Sequence, residues 1–200
     1  FTSYATNLVF NDTNGQPDVF VRSFGNGHTT RVSSGPGGQQ GSGGSYLGDF
    51  SGNGRFVAFS STSTFVTDDT NGAYDDYMKD RRTGNIIRVS VGTGGFQANS
   101  DSYGVSLSGD GRYVVFSGYA SNLVPGDTNG NQDVFLRDLL MNTTTLLGVN
   151  TAGEQGNGEN AYAEVSDDAM VTVFVSTGDN LYPGDDNFVH DVFVRDLGAP

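Results

Sequence analysis

The sequence predicts an all-β, antiparallel repeat protein, and three observations carry that expectation. One segment recurs four times with a period of about 58 residues. Thr, Val, Phe, Tyr, Asn, Asp and Gly dominate, while good helix formers are scarce. No apolar period of 3.6 runs anywhere along the 200 residues.

The repeat is marked most clearly by the tetrapeptide DTNG at Asp12–Gly15, Asp69–Gly72 and Asp127–Gly130, with a degenerate DDNF at Asp185–Phe188. The starts differ by 57, 58 and 58 residues. Six residues after each start comes another aspartate, Asp18, Asp75, Asp133 and Asp191, opening the runs DVFVR, DDYMK, DVFLR and DVFVR. A second apolar run ends at Phe1, Phe59, Phe116 and Phe174. A turn precedes it, as SGNG from Ser51, SGDG from Ser108 and SDDA from Ser166. Gln40, Gln97 and Gln155 sit in matching Gly-rich stretches. Five markers share one period, which chance does not produce.

Each element of a unit follows in order. In the third unit a strand is expected at Tyr103–Leu107, then the SGDG hairpin, then a strand at Arg112–Ser117. A loop carrying DTNG leads to a strand at Asp133–Asp138 and, after a short turn, to a fourth at Thr144–Val149. The Gly-rich stretch Asn150–Asn160 crosses to the next unit. Runs such as RYVVF are apolar at successive positions, so these strands are buried on both faces. Four-stranded units stacked face to face are antiparallel β-propeller blades, with a β-solenoid as the rival arrangement. The chain reads as one domain, 1–200, of about three and a half four-stranded repeats: 1–50, 51–107, 108–165 and 166–200.

The stretch Ala120–Asp138, ASNLVPGDTNGNQDVFLRD, with the preceding SGDGRYVVFSG, resembles the TolB-like β-propeller repeat of bacterial envelope and secreted proteins. The resemblance extends over essentially the whole chain. It implies a propeller that serves as a non-catalytic interaction platform, although such a fold hosts many functions.

Charge and composition narrow the function further. Ten basic against 23 acidic residues give −13, which excludes the basic footprint that nucleic acid demands. No stretch approaches the roughly 18 apolar residues of a spanning helix, so membrane insertion is not expected. There is no Cys, which removes disulfides, thiolate catalysis and Cys-zinc sites. Together these suit an extracellular or cell-surface protein, with the periplasm as second choice. The opening at Phe1, rather than Met, suggests processing or a piece of a longer chain.

The DTNG loop is the leading candidate for chemistry. It places Asp, Asn and Asp at positions 1, 3 and 7: Asp12/Asn14/Asp18, Asp69/Asn71/Asp75, Asp127/Asn129/Asp133 and Asp185/Asn187/Asp191. Calcium takes six to eight hard oxygens, and odd-numbered side chains on a tight loop converge on one ion. The same residues also build metal-free Asx-turns. Both readings stand at this stage, and Phe188 in place of Gly makes the fourth copy the weakest.

Other groups carry less. Arg22, Lys79, Arg137 and Arg195 close the third strand of each unit and are expected to be structural. His28 and His190 occupy non-equivalent positions, and neither a G-x-S-x-G nor an H-E-x-x-H motif occurs. Glu154, Glu159 and Glu164 are expected to be solvated loop charges rather than a glycosidase pair. Tyr4, Tyr74, Tyr119 and Tyr182 lie off the repeated strands, where exposed aromatics suit stacking. No catalytic constellation emerges. The expected function is a non-catalytic extracellular scaffold or interaction protein. The alternatives are a substrate-gating propeller of a larger secreted hydrolase and a glycan-binding propeller. Incomplete units at both ends expose strand edges, so a second copy of the chain is the expected partner, through strand addition or blade stacking into a polymer or filament.

Overall fold

The computed structural model describes residues 1–187 and 189–198 and is all-β apart from one 3₁₀ turn at Pro36–Gly38. Its strands are β1 (Thr2–Ser3), β2 (Asp18–Arg22) and β3 (Thr29–Arg31). A full sheet follows: β4 (Ser45–Phe50), β5 (Phe56–Ser61), β6 (Asp75–Asp80) and β7 (Ile86–Arg88). The next comprises β8 (Ser102–Leu107), β9 (Tyr113–Gly118), β10 (Asp133–Asp138) and β11 (Thr143–Leu146). The last comprises β12 (Asn160–Val165), β13 (Val171–Ser176) and β14 (Asp191–Asp196). Within each sheet every neighbouring pair is antiparallel and sequential, giving four blades. The first and last blades have three strands, the middle two have four.

The sheets begin at Ser45, Ser102 and Asn160, six residues before the boundaries read from the repeat. A sequence period has length but no phase. The SGNG-type hairpins look like unit starts, yet they join the first strand of a blade to its second. Their chemistry explains their recurrence. Ser108 Oγ donates to Asp110 Oδ1 at 2.7 Å, and the same carboxylate accepts the Arg112 amide at 2.9 Å. The Tyr113 amide in turn donates to Ser108 Oγ. Adjacent hairpins also hydrogen-bond to one another, Gly52 N to Gly109 O at 3.0 Å and Gly109 N to Asp167 O at 2.9 Å.

Successive apolar positions are explained by the stacking. Val57, Phe59 and Tyr77 pack with Val19 and Val32 of the first blade. Ala58 and Met78, on the opposite face of the same sheet, pack with Val114, Phe116 and Phe135 of the third. Val115 and Val134 then pack with Ala163 and Phe174 of the fourth. Each strand residue therefore serves one of two cores in turn, and burying each such side chain contributes about 1.5–3 kcal/mol. A cross-strand aromatic pair repeats in every blade: Phe1–Phe20, Phe59–Tyr77, Phe116–Phe135 and Phe174–Phe193, at 5.7, 6.0, 5.5 and 5.7 Å between ring centroids.

In the second, third and fourth blades the basic residue near the end of the third strand ties its blade to the preceding one, whereas Arg22 of the first blade donates to Thr29 of its own hairpin. Lys79 Nζ donates to Ser34 O at 2.7 Å, Arg137 to Gly92 O at 3.3 Å and Arg195 to Val149 O at 3.0 Å. The aspartates that follow two of them pair elsewhere, Asp80 with Arg55 and Asp138 with Arg112, both at 2.7 Å.

Candidate binding face

The two ends of the blades differ in chemistry. One end holds the two hairpins of each blade. The other holds the DTNG loop and the crossover to the next blade.

In the first DTNG loop Asn14 forms an Asx-turn, its Oδ1 accepting the Gln16 amide at 3.0 Å. Its Nδ2 donates to Gly41 O at 2.9 Å, which fastens the loop to the crossover. Asn71 does the same in the second loop, its Oδ1 accepting the Ala73 amide at 2.9 Å and its Nδ2 donating to Ala98 O at 3.0 Å. In the third, Asn129 Oδ1 accepts the Asn131 amide at 2.8 Å and Nδ2 donates to Gly156 O at 2.9 Å. The asparagines expected from sequence as ion ligands, Asn14, Asn71 and Asn129, thus each commit the side-chain oxygen to the turn and the side-chain nitrogen to the crossover. Gly15, Gly72 and Gly130 take φ of 67°, 69° and 69°, a left-handed conformation that accounts for the last letter of the motif. Gln40 lies beneath the first loop. Its Nε2 donates to Asp12 at 2.9 Å and Asp18 at 3.2 Å, while its Oε1 accepts the Thr13 amide. Gln155 repeats the arrangement, its Nε2 2.8 Å from Asp127 and 2.9 Å from Asp133, whereas Gln97 accepts the Thr70 amide and donates to Asp69 alone, at 3.1 Å. In the first and third repeats the glutamine is thus the amide clamp of the two carboxylates.

The counter-charge varies between repeats. Arg31 lies 3.8 Å from Asp12 and 3.4 Å from Asp18. Arg88 lies 3.6 Å from both Asp69 and Asp75. The matching position in the third repeat is Leu146, so Asp127 and Asp133 face no guanidinium. Burial and the Asp127 charge push Asp133 up to about 7. Its remaining partner has been exchanged as well. Ser33 and Ser90 donate to Asp18 and Asp75 in the first two repeats, at 2.6 and 2.7 Å. The third repeat has Gly148 there, and Asn160 from the next blade donates to Asp133 at 2.9 Å through the vacated space. A Cβ on Gly148 would stand 2.8 Å from Asn160 Cγ, so the glycine makes room for the asparagine. In the fourth repeat Asn187 Oδ1 accepts the Val189 amide at 3.0 Å, the Asp185 amide donates to Tyr182 O at 3.3 Å, and Asp191 opens β14. Phe188 lies outside the described residues.

These loops bring two carboxylates together in each of the first three repeats. Among the described residues no three carboxylate or imidazole side chains converge on one point. A calcium ion at repeat one or two would have to displace Arg31 or Arg88, and the Asn14 or Asn71 oxygen would have to leave its turn to join it. Asp127, Asn129 and Asp133 form the set free of a guanidinium.

The same end of the blades carries a row of tyrosines. Tyr46 and Tyr103 open β4 and β8, Tyr4 and Tyr119 follow the second strands, and Tyr74 precedes β6. Tyr46 and Tyr74 have ring centroids 6.3 Å apart, and Tyr74 and Tyr103 5.2 Å apart. The Tyr4 and Tyr46 hydroxyls meet, which raises the Tyr4 pKa. Asp101 organises the centre: its Oδ1 accepts the Tyr74 amide at 2.7 Å and its carbonyl accepts the Tyr119 amide at 3.0 Å. Burial, together with a hydrogen bond to Asp101, pushes the Tyr103 phenol upward. Tyr4, Tyr46 and Tyr119 are 67, 41 and 44 % exposed, so the row faces solvent. Sequence reasoning singled out Tyr4, Tyr74 and Tyr119 and missed Tyr46 and Tyr103. The signal was the recurrence of Ser-Tyr at 45–46 and 102–103, spaced by one period. Tyr182 is exposed in the fourth DTNG loop.

The remaining candidates stay apart. His28 lies in the β2–β3 hairpin and His190 just before β14, at opposite ends of their blades and both exposed. Glu154 accepts from Asn150 at 2.8 Å in a crossover, Glu159 is exposed just before β12, and Glu164 is exposed on β12.

Comparison with known proteins supports the architecture. No protein-family profile matches the chain, and no curated protein matches it. Solved structures do. TolB from Acinetobacter baumannii superposes with a TM-score of 0.54 at 18% identity, over 94% of this chain and 37% of that one. A TolB-type protein from Agrobacterium tumefaciens gives 0.56 at 16%, over 92% and 54%. The tricorn protease gives 0.56 at 15%, over 92% and 16%. The chain therefore spans about half or less of each of these structures. At such identities the likeness concerns fold alone. With its antiparallel four-stranded blades and its repeat, the chain has a TolB-like β-propeller fold.

Proposed function

We propose that the chain is a non-catalytic propeller module that works outside the cytoplasm and binds a partner through the DTNG end of its blades. The observation that carries this reading is the row of five tyrosines, drawn from three blades and organised by Asp101. An aromatic row that remains solvent-exposed on an acidic protein is a surface suited to recognition rather than core. The separation of His28 from His190 and the scattering of the three glutamates support a surface without acid–base machinery. Among the described residues no helix is long and apolar enough to cross a membrane. The test is turnover. The purified chain should not hydrolyse peptide arylamides. Turnover that is lost in Asp101→Asn would overturn the reading.

A second reading, self-association, rests on the faces of the end blades. Val192 and Val194 on β14 are 72 and 70 % exposed, although the equivalent Val134 is buried against the next blade. At the other end Phe1 is 48 % exposed, whereas its equivalents Phe59 and Phe116 are fully buried. The two faces have the chemistry of a buried blade–blade contact. A second copy stacked end to end, or further blades of the same repeat, would cover them. Sedimentation at tens of micromolar tests this: concentration-dependent assembly supports association between copies, and a stable monomer of the 200-residue chain excludes it.

A further inference from the structure

The partner class follows from the way charge is distributed over the blades, an inference that rests on the binding-face reading above. Among the described residues the solvent-accessible basic side chains lie at the hairpin end, Arg55, Arg81, Arg82 and Arg112 among them. The two arginines that reach toward the DTNG end, Arg31 and Arg88, are consumed by the paired aspartates of their own loops. Asp68 at this end is also paired with Arg88, at 3.1 Å, whereas Glu154, Glu159 and Asp186 are exposed there with no ion pair among the described residues. Much of the −13 formal charge therefore lies at the DTNG end of the blades, the end that carries the tyrosines.

The row itself combines the two groups that hold a cation. Asp101 sits among Tyr74, Tyr103 and Tyr119. One period later, at the matching position of the next blade, stands Glu159, whose carbonyl accepts the Thr177 amide at 3.0 Å as that of Asp101 accepts Tyr119. A carboxylate thus recurs at this position in the fourth blade, one blade beyond the last tyrosine of the row. The rings of Tyr46 and Tyr74 are inclined by 50° and those of Tyr74 and Tyr103 by 46°. Inclined rings leave notches between aromatic faces rather than one flat platform. A flat platform suits a sugar ring. A notch between electron-rich faces beside a carboxylate suits an ammonium or guanidinium group.

We propose that the tyrosine row is the docking surface for a protein segment bearing lysine or arginine. Its cationic heads settle between the rings of Tyr46, Tyr74 and Tyr103, beside the Asp101 carboxylate. The surrounding negative potential steers the segment in, so association weakens with added salt.

The test is calorimetric titration of the full chain with octa-arginine and octa-lysine peptides, with octa-glutamate and a cello-oligosaccharide as comparisons. Both basic peptides should bind, more weakly as salt is raised from about 50 to 500 mM. Tyr74→Ala should weaken binding roughly 3- to 10-fold, as expected for loss of one cation–aromatic contact. Tyr74→Phe keeps the ring and should retain affinity. Tyr162→Ala removes a tyrosine 78 % exposed but outside the row, and should change nothing. Equal weakening by Tyr74→Ala and Tyr162→Ala, or no weakening by either, would overturn the proposal, because diffuse charge would then explain binding. Binding of the oligosaccharide alone, sensitive to Tyr74→Ala, would overturn the partner class while preserving the binding face. Absence of binding by every probe overturns the basic-segment proposal and leaves the turnover test to decide the module reading.

Discussion

Asp76 is the position where one blade departs most from its siblings, and replacing it should change how stability responds to pH. The equivalent residues are Val19, Val134 and Val192, whereas Asp76 is a carboxyl with no solvent exposure. It accepts the Ser60 hydroxyl, and its second oxygen has no partner. Burial pushes its pKa up to about 8. In the unfolded chain the same group titrates near the ordinary aspartate value of about 3.9. Its contribution is therefore fully present below roughly pH 4 and is lost as pH rises through about 8. At ~1.4 kcal/mol per pKa unit the loss reaches at most about 6 kcal/mol. Asp76→Val removes that dependence. It also leaves Ser60 without its acceptor, a cost of about 1–3 kcal/mol. The third blade already carries that arrangement, with Ser117 unpartnered opposite Val134. Valine returns about 1.5 kcal/mol or more through apolar burial. The two proteins should be similar in stability near pH 5, and the variant should be several kcal/mol more stable near pH 8.5. Chemical denaturation followed by circular dichroism across this range gives the difference directly. A difference that stays constant with pH would show that Asp76 does not hold its proton in the folded chain, and would refute the reasoning.

Further outcomes follow from the same geometry. Asp75, at about 6, and Asp133, at about 7, have the same sign as Asp76, whereas Asp80 and Asp138 are lowered by their arginines and lose their contribution as pH falls, so wild-type thermal stability should peak at weakly acidic pH. Gly148→Ser should cost about 2 kcal/mol or more by driving a side chain into Asn160, and adding Asn160→Ser should recover much of it by restoring the arrangement around Asp18, a coupling that a double-mutant cycle measures. Arg137→Ala should cost about 2–4 kcal/mol in denaturant titrations, because it frees the Gly92 carbonyl between blades, while Arg55→Ala at an exposed ion pair should cost under about 1 kcal/mol. If calcium raises the melting temperature, Asp127→Ala should abolish the rise and Asp12→Ala should not, since Arg31 already neutralises the first loop; the reverse pattern would contradict this division of the loops.

Much of the architecture was legible in the sequence because a blade repeats its chemistry. The DTNG glycine, the hairpin serine and the cross-strand aromatic pair each solve a local problem that recurs every blade. The β10 span Asp133–Asp138 was read correctly to the residue. The order of strands about each hairpin was legible, but the unit boundaries were drawn at the hairpins and so fell six residues after the first residue of each sheet. The recurring glutamine was visible as a marker, but its role as a clamp required knowing that the crossover passes beneath the loop. The same crossover explains why Asn14, Asn71 and Asn129 recur: each bridges its own turn to a carbonyl 27 residues further along the chain. The tyrosine row was harder. Its members come from three different kinds of position in the blade, so no single register displays them together. The same holds for the exchange of Ser33 and Ser90 for Gly148 with Asn160, which links residues of successive blades.

The central claim is that the tyrosine end of the blades is the working surface. Amide chemical-shift mapping of the 21.1 kDa chain during titration with octa-arginine tests it most directly. The account expects saturable shifts centred on Tyr46, Tyr74, Asp101, Tyr103 and Tyr119, with the hairpins at Ser51–Gly54 and Ser108–Gly111 unmoved. Shifts centred on those hairpins, or spread evenly over the acidic surface, would contradict it.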